Sequence, residues 1–167
     1  MSAITRTWDR FIMLVEPAGA WAGLLLIRLL LAWEFGTAGF GKLAGDNWFG
    51  RVQHNFPFPF NLLPVEVDWF IATWVEILGS LGLALGLFTR FWAFSLVVVT
   101  VVAIFGVHWP EQWDSLGELW RGYAVTNDGF GNYRIPLLFI AMLLPLFFFG
   151  PGKLSLDYLL SRKLRRP

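Results

Sequence analysis

The chain has 167 residues, of which 56% are apolar and only 15% are charged, and its formal net charge is +1. A soluble domain carries charge on about a quarter of its residues, so this composition excludes an ordinary soluble protein. The absence of cysteine excludes disulfides, thiolate-bound metals and iron–sulfur clusters built from this chain alone.

The first predicted element is a membrane span over residues 18–42. The preceding residues are mixed and polar, and the apolar run is too long for the core of a cleaved signal peptide, so we expect the span to be retained. At about 100° per residue, Arg28, Glu34 and Lys42 share one face of this helix. Because charge inside a bilayer is costly, that face is predicted to point into the protein.

The connection after the first span contains an unusual run, Phe56 to Phe60, in which phenylalanine alternates with proline. Alternating proline forbids a helix there, whereas the phenyl rings favour apolar surroundings. We expect an extended segment that lies at the outward membrane interface or dips between the spans.

Three further apolar runs follow, over residues 66–88, 91–109 and 135–150, and the last of them is short and contains Pro145. A hydrocarbon core of about 30 Å requires roughly 20 helical residues, so all four runs are near the length of a span. The pattern predicts an all-α fold, an integral membrane four-helix bundle that forms a single domain over residues 1–167.

The connection at residues 110–133 carries apolar residues at helical spacing, namely Trp113, Leu116, Leu119, Trp120 and Tyr123. This spacing predicts a short amphipathic helix that rests on the membrane surface. Together with the Phe56 to Phe60 run it makes two outward-facing aromatic loops. We expect both loops to cover the outer end of the bundle and to shield a cavity beneath.

The distribution of lysine and arginine predicts the orientation of the chain. With four spans, both termini and the turn at Arg90 share one side, which carries eight basic and three acidic residues. The other side carries four basic and seven acidic residues. Since basic residues concentrate on the cytoplasmic side, we predict a multi-pass protein of the bacterial inner membrane with both termini in the cytoplasm. The basic tail at residues 162–166 favours attraction to the lipid bilayer over nucleic-acid binding.

The charged residues inside the spans have two open roles, structural or functional. Counted at about 1.5 Å per residue from the span ends, Arg28 and Glu76 come to similar depths, which predicts a structural ion pair between them. Glycines of the second helix near Glu76 are expected to admit the first helix. Glu34, Lys42 and His108 then remain as candidates for a ligand or proton site toward the outer end.

A metal role is weakly indicated for the two histidines. His54 and His108 both lie toward the outer face, but they lack the spacing of metal ligands. The sequence therefore predicts no metal site, and a metal role for either histidine stays open.

Several segments resemble the DoxX family of small bacterial four-helix membrane proteins. They are Arg28–Leu31, Ala38–Leu43, Glu76–Gly79, Leu85–Arg90 and Gly150–Asp157. The resemblance covers the chain from Arg28 to Asp157. Members of this kind include a subunit of thiosulfate:quinone oxidoreductase. The stretch Gly129–Phe139 is similar to HvfX-type members, which are linked to modified, copper-binding secreted peptides.

The resemblance implies a membrane subunit of a redox or maturation system, with a quinone or another apolar ligand bound near the charged residues. A membrane or periplasmic protein is the implied partner, and a quinone-linked oxidoreductase subunit is the implied enzyme. The alternative is a non-catalytic membrane anchor or assembly module whose charges are structural. Quinone that co-purifies with the protein would favour the first hypothesis, and a tightly bound partner alone would favour the second.

Overall fold

The computed structural model describes residues 3–110, 112–123 and 131–164, within which the chain is helical and has no β-strand. The helices are α1 (Ala3–Ala44), α2 (Val65–Leu85), α3 (Thr89–Ala103), α4 (Leu116–Tyr123), α5 (Arg134–Phe149) and α6 (Leu156–Leu164). A π-helical turn, Ile104–His108, extends α3. Three parts of the chain that the sequence analysis used lie outside the described ranges: the tail from Arg165, residues 124–130 of the second aromatic loop, and, within that loop, Gly129 and Phe130 of the HvfX-like stretch.

Within the described residues, three helical segments are long and apolar enough to cross a membrane, namely Trp21–Ala44, Val65–Leu85 and Thr89–His108. Helix α5 is also apolar but has 16 residues. The ends of these four segments differ from the predicted spans by at most three residues. Helix α1 departs most from expectation, because it begins at Ala3 and carries its polar N-terminal residues as a continuation of the span.

Helices α1 and α2 are antiparallel and approach each other closely. Gly36 faces Ser80, and Gly39 faces Glu76 and Ile77, where an added Cβ would lie 2.8 Å from Ile77 Cγ1. Small residues let the backbones of membrane helices come together in this way. Two glycines of α1 therefore set the register between the two helices.

The glycines of α2 mostly face another neighbour. A Cβ added at Gly79 would lie 3.1 Å from the Leu96 side chain, and one added at Gly82 would overlap the indole of Trp92. Both contacts are with α3. The prediction that the glycines of α2 near Glu76 admit α1 is therefore wrong, since α1 supplies its own glycines for that contact.

A buried apolar core joins four helices in the half of the protein next to the α2–α3 turn. Its fully packed members are Leu31, Phe35, Leu83, Ala93, Leu96, Leu143 and Leu146. They come from α1, α2, α3 and α5. The core fills the space between these helices in this half of the structure.

The turn between α2 and α3 is held by the start of α6. Gly86 ends α2 in the left-handed conformation, with φ of 64°, where glycine has no steric penalty. The backbone N–H groups of Phe88 and Thr89 donate to the Asp157 carboxylate at 2.8 and 2.9 Å, and Asp157 N–H donates to Gly86 O at 2.9 Å. These bonds satisfy two of the N–H groups that have no partner within the helix at the beginning of α3.

Candidate functional site

A mostly apolar cavity of about 430 Å³ occupies the half of the protein away from the α2–α3 turn. Its walls come from α1, α2, α3, α5 and the connection between α1 and α2. Its charged or titratable lining residues are Glu34, Lys42, Asp68, Glu76 and His108. This volume falls within the range of about 300–1,000 Å³ that is usual for small-molecule sites.

An aromatic cap closes one end of the cavity; it consists of Trp48, Phe49, Phe56 and Trp69. The ring of Phe49 meets those of Phe56 and Trp69 edge-on, with centroids 5.2 and 5.0 Å apart. Phe56 is 5% exposed and packs against Ala72, and both line the cavity. Edge-to-face packing is the favoured arrangement of aromatic rings.

The Phe56 to Phe60 run behaves as predicted in one respect, because both end residues line the cavity. It is not extended throughout, since turns interrupt it and a 3-10 helix begins at Phe60. The ring of Phe56 reaches α3 because Gly106, in the π-helical turn, has no side chain to obstruct it.

The described part of the second aromatic loop does not cover the cavity. Trp113 and Trp120 are 43% and 67% exposed, and neither lines the cavity. The prediction that Trp113 to Trp120 shield it is therefore wrong. The predicted helix does form, as α4, but Tyr133 holds it over the beginning of α5 by donating a hydrogen bond to Leu119 O at 2.7 Å.

Gln53 and Asp68 anchor the connection between α1 and α2 to the first turn of α2. The Gln53 amide nitrogen donates to Asp68 Oδ2 at 2.6 Å and to Leu63 O at 2.7 Å. Asp68 is 4% exposed, and its second oxygen, Oδ1, is buried without a hydrogen-bond partner among the described residues. Gln53 and Asp68 therefore hold this connection against the beginning of α2.

Lys42 and Glu76 form an ion pair in the cavity wall. The Lys42 ammonium donates to both Glu76 carboxylate oxygens, at 2.9 and 2.7 Å. The side chains are 16% and 7% exposed, respectively. The pair ties the end of α1 to the middle of α2.

The predicted Arg28–Glu76 ion pair is wrong. Arg28 is fully buried, and its guanidinium donates to Leu83 O at 3.3 Å and to Leu154 O. Asp157 is the carboxylate that interacts with it electrostatically. Arg28 therefore joins α1 to the end of α2 and to the segment before α6.

The helix register explains the error. Gly36 lies opposite Ser80 and Gly39 opposite Glu76, so continuing the same antiparallel register places Arg28 near Gly86. Glu76 and Gly86 are ten residues apart, which is about 15 Å along a helix. The depth of Arg28 was predicted by counting residues from Ala18 as the beginning of the span. The register of α1 relative to α2 is instead set where the glycines of α1 allow contact with α2.

Glu34 and His108 lie in different parts of the cavity. Glu34 is exposed and lies nearer to the apolar core than Lys42 does along α1. Lys42 forms its ion pair with Glu76 and not with Glu34. His108 ends the π-helical turn, and its ring contacts the backbone of Asn132 in a hydrogen bond. All three predicted site residues, Glu34, Lys42 and His108, therefore line one cavity, although they are not in mutual contact.

His54 is exposed and does not line the cavity. In residues 3–110, 112–123 and 131–164, no three His, Asp or Glu side chains are grouped so that they could hold a metal ion.

Comparison with known proteins shows the family of this chain. The DoxX family profile matches residues 23–109, which is more than half of the sequence. The chain belongs to the DoxX family. A Haemophilus influenzae protein described only as uncharacterized is 40% identical over 148 residues, which is 89% of each chain. No solved structure matches, and the HvfX-type subgroup stays a prediction.

The segments that resemble other DoxX proteins meet in two places in this DoxX structure. Arg28, Gly86 and Asp157 come together at the α2–α3 turn, where a Cβ on Gly86 would overlap the Arg28 guanidinium. Lys42 and Glu76 come together in the cavity wall. Residues that are far apart in the sequence thus form one polar cluster at each end of the apolar core.

Two residues that hold the loop at the cavity end of this DoxX protein were not indicated by the sequence patterns. Asp68 was counted only as an acidic residue outside the membrane, and Gln53 was not considered. An acidic residue in the first turn of a helix is ordinarily explained by the helix dipole. The aromatic residues in the connection between α1 and α2 could have pointed to Gln53 and Asp68. A loop that folds back over a helix end also buries the polar groups at that end.

Proposed function

We propose that this DoxX protein is a multi-pass protein of the bacterial inner membrane, with α5 as a fourth span and both termini in the cytoplasm. The apolar composition of α5 and its two core residues, Leu143 and Leu146, support this assignment. A short span is tolerated when the bilayer thins or flanking residues extend to its surface. The side that carries the termini is also the more basic one.

The topology is testable with reporter fusions. Alkaline phosphatase fused after Pro167 is expected to be inactive, and the same enzyme inserted at Asp128 is expected to be active, because it folds only outside the cytoplasm. A green fluorescent protein fusion at each position is the matched control and should give the opposite pattern. Activity of both phosphatase fusions would mean that α5 does not cross the membrane.

For its activity, we propose a membrane subunit of a redox or maturation system that binds a quinone or a similar apolar molecule in the cavity. The observation that supports this proposal best is the combination of apolar walls with an ion pair, Lys42 and Glu76, in one cavity. Small-molecule sites are typically apolar with a few polar groups that orient the ligand. The aromatic cap separates the ligand from the aqueous side.

The chain contains no cysteine, so electrons would reach a bound quinone from another cofactor or from a partner protein. In the proposed arrangement, this subunit contributes the binding site and positions the polar head of the ligand. The membrane or periplasmic partner contributes the redox chemistry.

A purified-protein experiment tests this proposal. Protein in mild detergent is extracted with organic solvent, and the extract is assayed for quinone by its oxidised-minus-reduced absorbance difference. Replacing Ala72 with tryptophan fills the cavity and is expected to lower bound quinone by about tenfold, corresponding to about 1.4 kcal/mol of binding free energy. Leu78→Trp is the matched control, because Leu78 is exposed on the same helix and lies outside the cavity lining.

The alternative function, a non-catalytic anchor or assembly module, predicts a different result. The wild-type extract would then contain quinone only at the level of the bulk lipid, and Ala72→Trp and Leu78→Trp would not differ. A partner protein recovered in stoichiometric amount with both variants would support the anchor.

A further inference from the structure

A second cavity lies at the end of the protein next to the α2–α3 turn. It is an open groove of about 630 Å³, lined by the beginning of α3, the connection between α5 and α6, and α6 itself. The apolar segment Thr89–His108 begins at this groove, and α5 ends beside it at Phe149. The groove therefore lies at the level where apolar helices leave the hydrocarbon core, which is the level of the lipid headgroups.

Two cations line the groove, Arg90 and Lys153, and both are exposed. The Arg90 guanidinium lies against Gly150, where an added Cβ would be 3.5 Å from Arg90 Nε, and it donates to Phe148 O at 3.3 Å. This bond uses one of its five N–H groups. Lys153 Nζ lies 5.6 Å from the centroid of the Trp21 ring and forms no ion pair with a described residue. Most of the donors of both cations therefore remain available to a ligand.

Asp157 is the one carboxylate among the described residues that line the groove, and it is already engaged. It accepts from the backbone N–H groups of Phe88 and Thr89 at 2.8 and 2.9 Å, and it interacts electrostatically with the buried Arg28. Because Arg28 balances the charge of Asp157, the two exposed cations give the groove a net positive charge. This charge favours an anionic ligand.

Three exposed phenylalanine side chains complete the groove. Phe88, Phe91 and Phe149 line it and are 66%, 61% and 79% exposed. A small soluble anion would leave these rings uncovered, whereas an acyl chain would cover them and remove apolar surface from water. The lining therefore favours a ligand that is anionic at one end and apolar at the other.

Helix α6 has the composition of a helix that lies on an anionic membrane. Leu156, Leu159 and Leu160 are exposed and are spaced to share one helical face. Arg162 and Lys163 follow in the last turn. Leucines on one face together with basic residues are typical of interfacial helices that bind anionic lipid. Such a position would hold the groove at the membrane surface.

We propose that this groove binds an anionic phospholipid, whose phosphate accepts hydrogen bonds from Arg90 and Lys153 and whose acyl chains cover the three phenylalanine rings. An arginine guanidinium can bind a phosphate through two parallel N–H bonds, and a lysine ammonium adds a compact charge. The proposal holds whatever molecule fills the apolar cavity in the other half of the protein. Only the assignment of this lipid to the cytoplasmic leaflet rests on the proposed topology.

Lipid binding to the delipidated, full-length protein in detergent tests the proposal. Phosphatidylglycerol and phosphatidylcholine with the same acyl chains are titrated separately, and bound lipid is counted by native mass spectrometry. Phosphatidylcholine carries the same phosphate, but its ammonium group cancels the charge. Phosphatidylglycerol is expected to bind about tenfold more tightly, because two cations favour its headgroup.

The double variant Arg90→Gln/Lys153→Gln removes both cations of the groove and is expected to lower this preference to about one. The matched control is Arg162→Gln/Lys163→Gln, which removes the same two residue types from the same end of the protein but outside the groove lining. Its preference should stay at about tenfold. Thermal unfolding of each delipidated variant checks that it is folded.

Equal losses in the two double variants would show a general attraction to a basic surface, and equal binding of the two lipids to the wild type would show no selection of the headgroup. Either result overturns the proposal. Glycerol 3-phosphate, which has the phosphate without the acyl chains, separates a lipid from a soluble phosphate: if it displaces phosphatidylglycerol at equal concentration, the lipid assignment is wrong. If the double variant does not fold, Lys153→Gln alone replaces it. A preference lowered by about threefold is then expected, and an unchanged preference would count against the site.

Discussion

Replacing Glu76 with glutamine is expected to destabilise the protein by about 3–5 kcal/mol, because the Lys42 ammonium is then left in a mostly buried position without its carboxylate. Lys42→Met should have an effect of similar size, since Glu76 is 7% exposed and would lose both of its hydrogen bonds. Stability is measured as thermal unfolding of the purified protein in detergent, followed by tryptophan fluorescence.

The double variant Lys42→Met/Glu76→Gln separates a coupled pair from two independent losses. With both charges removed, no buried charge remains uncompensated, so the loss should be clearly smaller than the sum of the single losses. Glu34→Gln is the control, because it makes the same substitution in the same cavity at a side chain that is exposed and has no ion pair with a described residue. Strictly additive single losses would show that the two residues are not coupled.

Replacing Arg28 with methionine is the second change expected to have a large effect, with a loss of about 3–5 kcal/mol. The carbonyls of Leu83 and Leu154 would each lose a charged donor, and hydrogen bonds to charged groups contribute about 1.5–3 kcal/mol each. The Asp157 carboxylate would also lose its electrostatic partner. Since Asp157 holds the beginning of α3, the effect should reach the α2–α3 turn.

Two further variants distinguish this mechanism from a general loss of packing. Arg28→Lys keeps the charge but lacks the planar fork that reaches two carbonyls, so it should recover only part of the stability. Arg90→Met is the matched control, because Arg90 is exposed and contacts a single described carbonyl, that of Phe148, at 3.3 Å; a change within about 0.5 kcal/mol is expected. If Arg28→Met melts with the wild type, the guanidinium does not join α1 to the segment before α6.

The positions of the apolar helical segments were predictable from the sequence, and the reason is local. Whether a segment such as Val65–Leu85 can cross a membrane depends on its own length and apolarity, because every backbone group must find its partner within the helix. The short helix α4 was predictable for the same reason, from apolar residues at helical spacing. The inward orientation of Lys42 and Glu76 also followed from the cost of charge in lipid.

The pairing of the charges required the tertiary structure. A shift of one turn between α1 and α2 moves a side chain by about 5.4 Å, which is more than the tolerance of a hydrogen bond. That register is set where Gly39 allows α1 to reach Glu76 and Ile77, and no count of residues from the span ends contains this contact. As a result Arg28 was assigned to Glu76, although it bonds to Leu83 O, about two helical turns away along α2.

The sequence by itself therefore determined where the apolar helical segments and α4 lie, and which of these segments are apolar enough for a membrane. Only the tertiary structure decided that Glu34, Lys42 and His108 share a cavity, and that Asp68 also lines it. The physical reason is that helix formation in an apolar solvent depends on local hydrogen bonds, whereas a cavity is the space left where side chains from several helices fail to meet. That space depends on all of their registers at once.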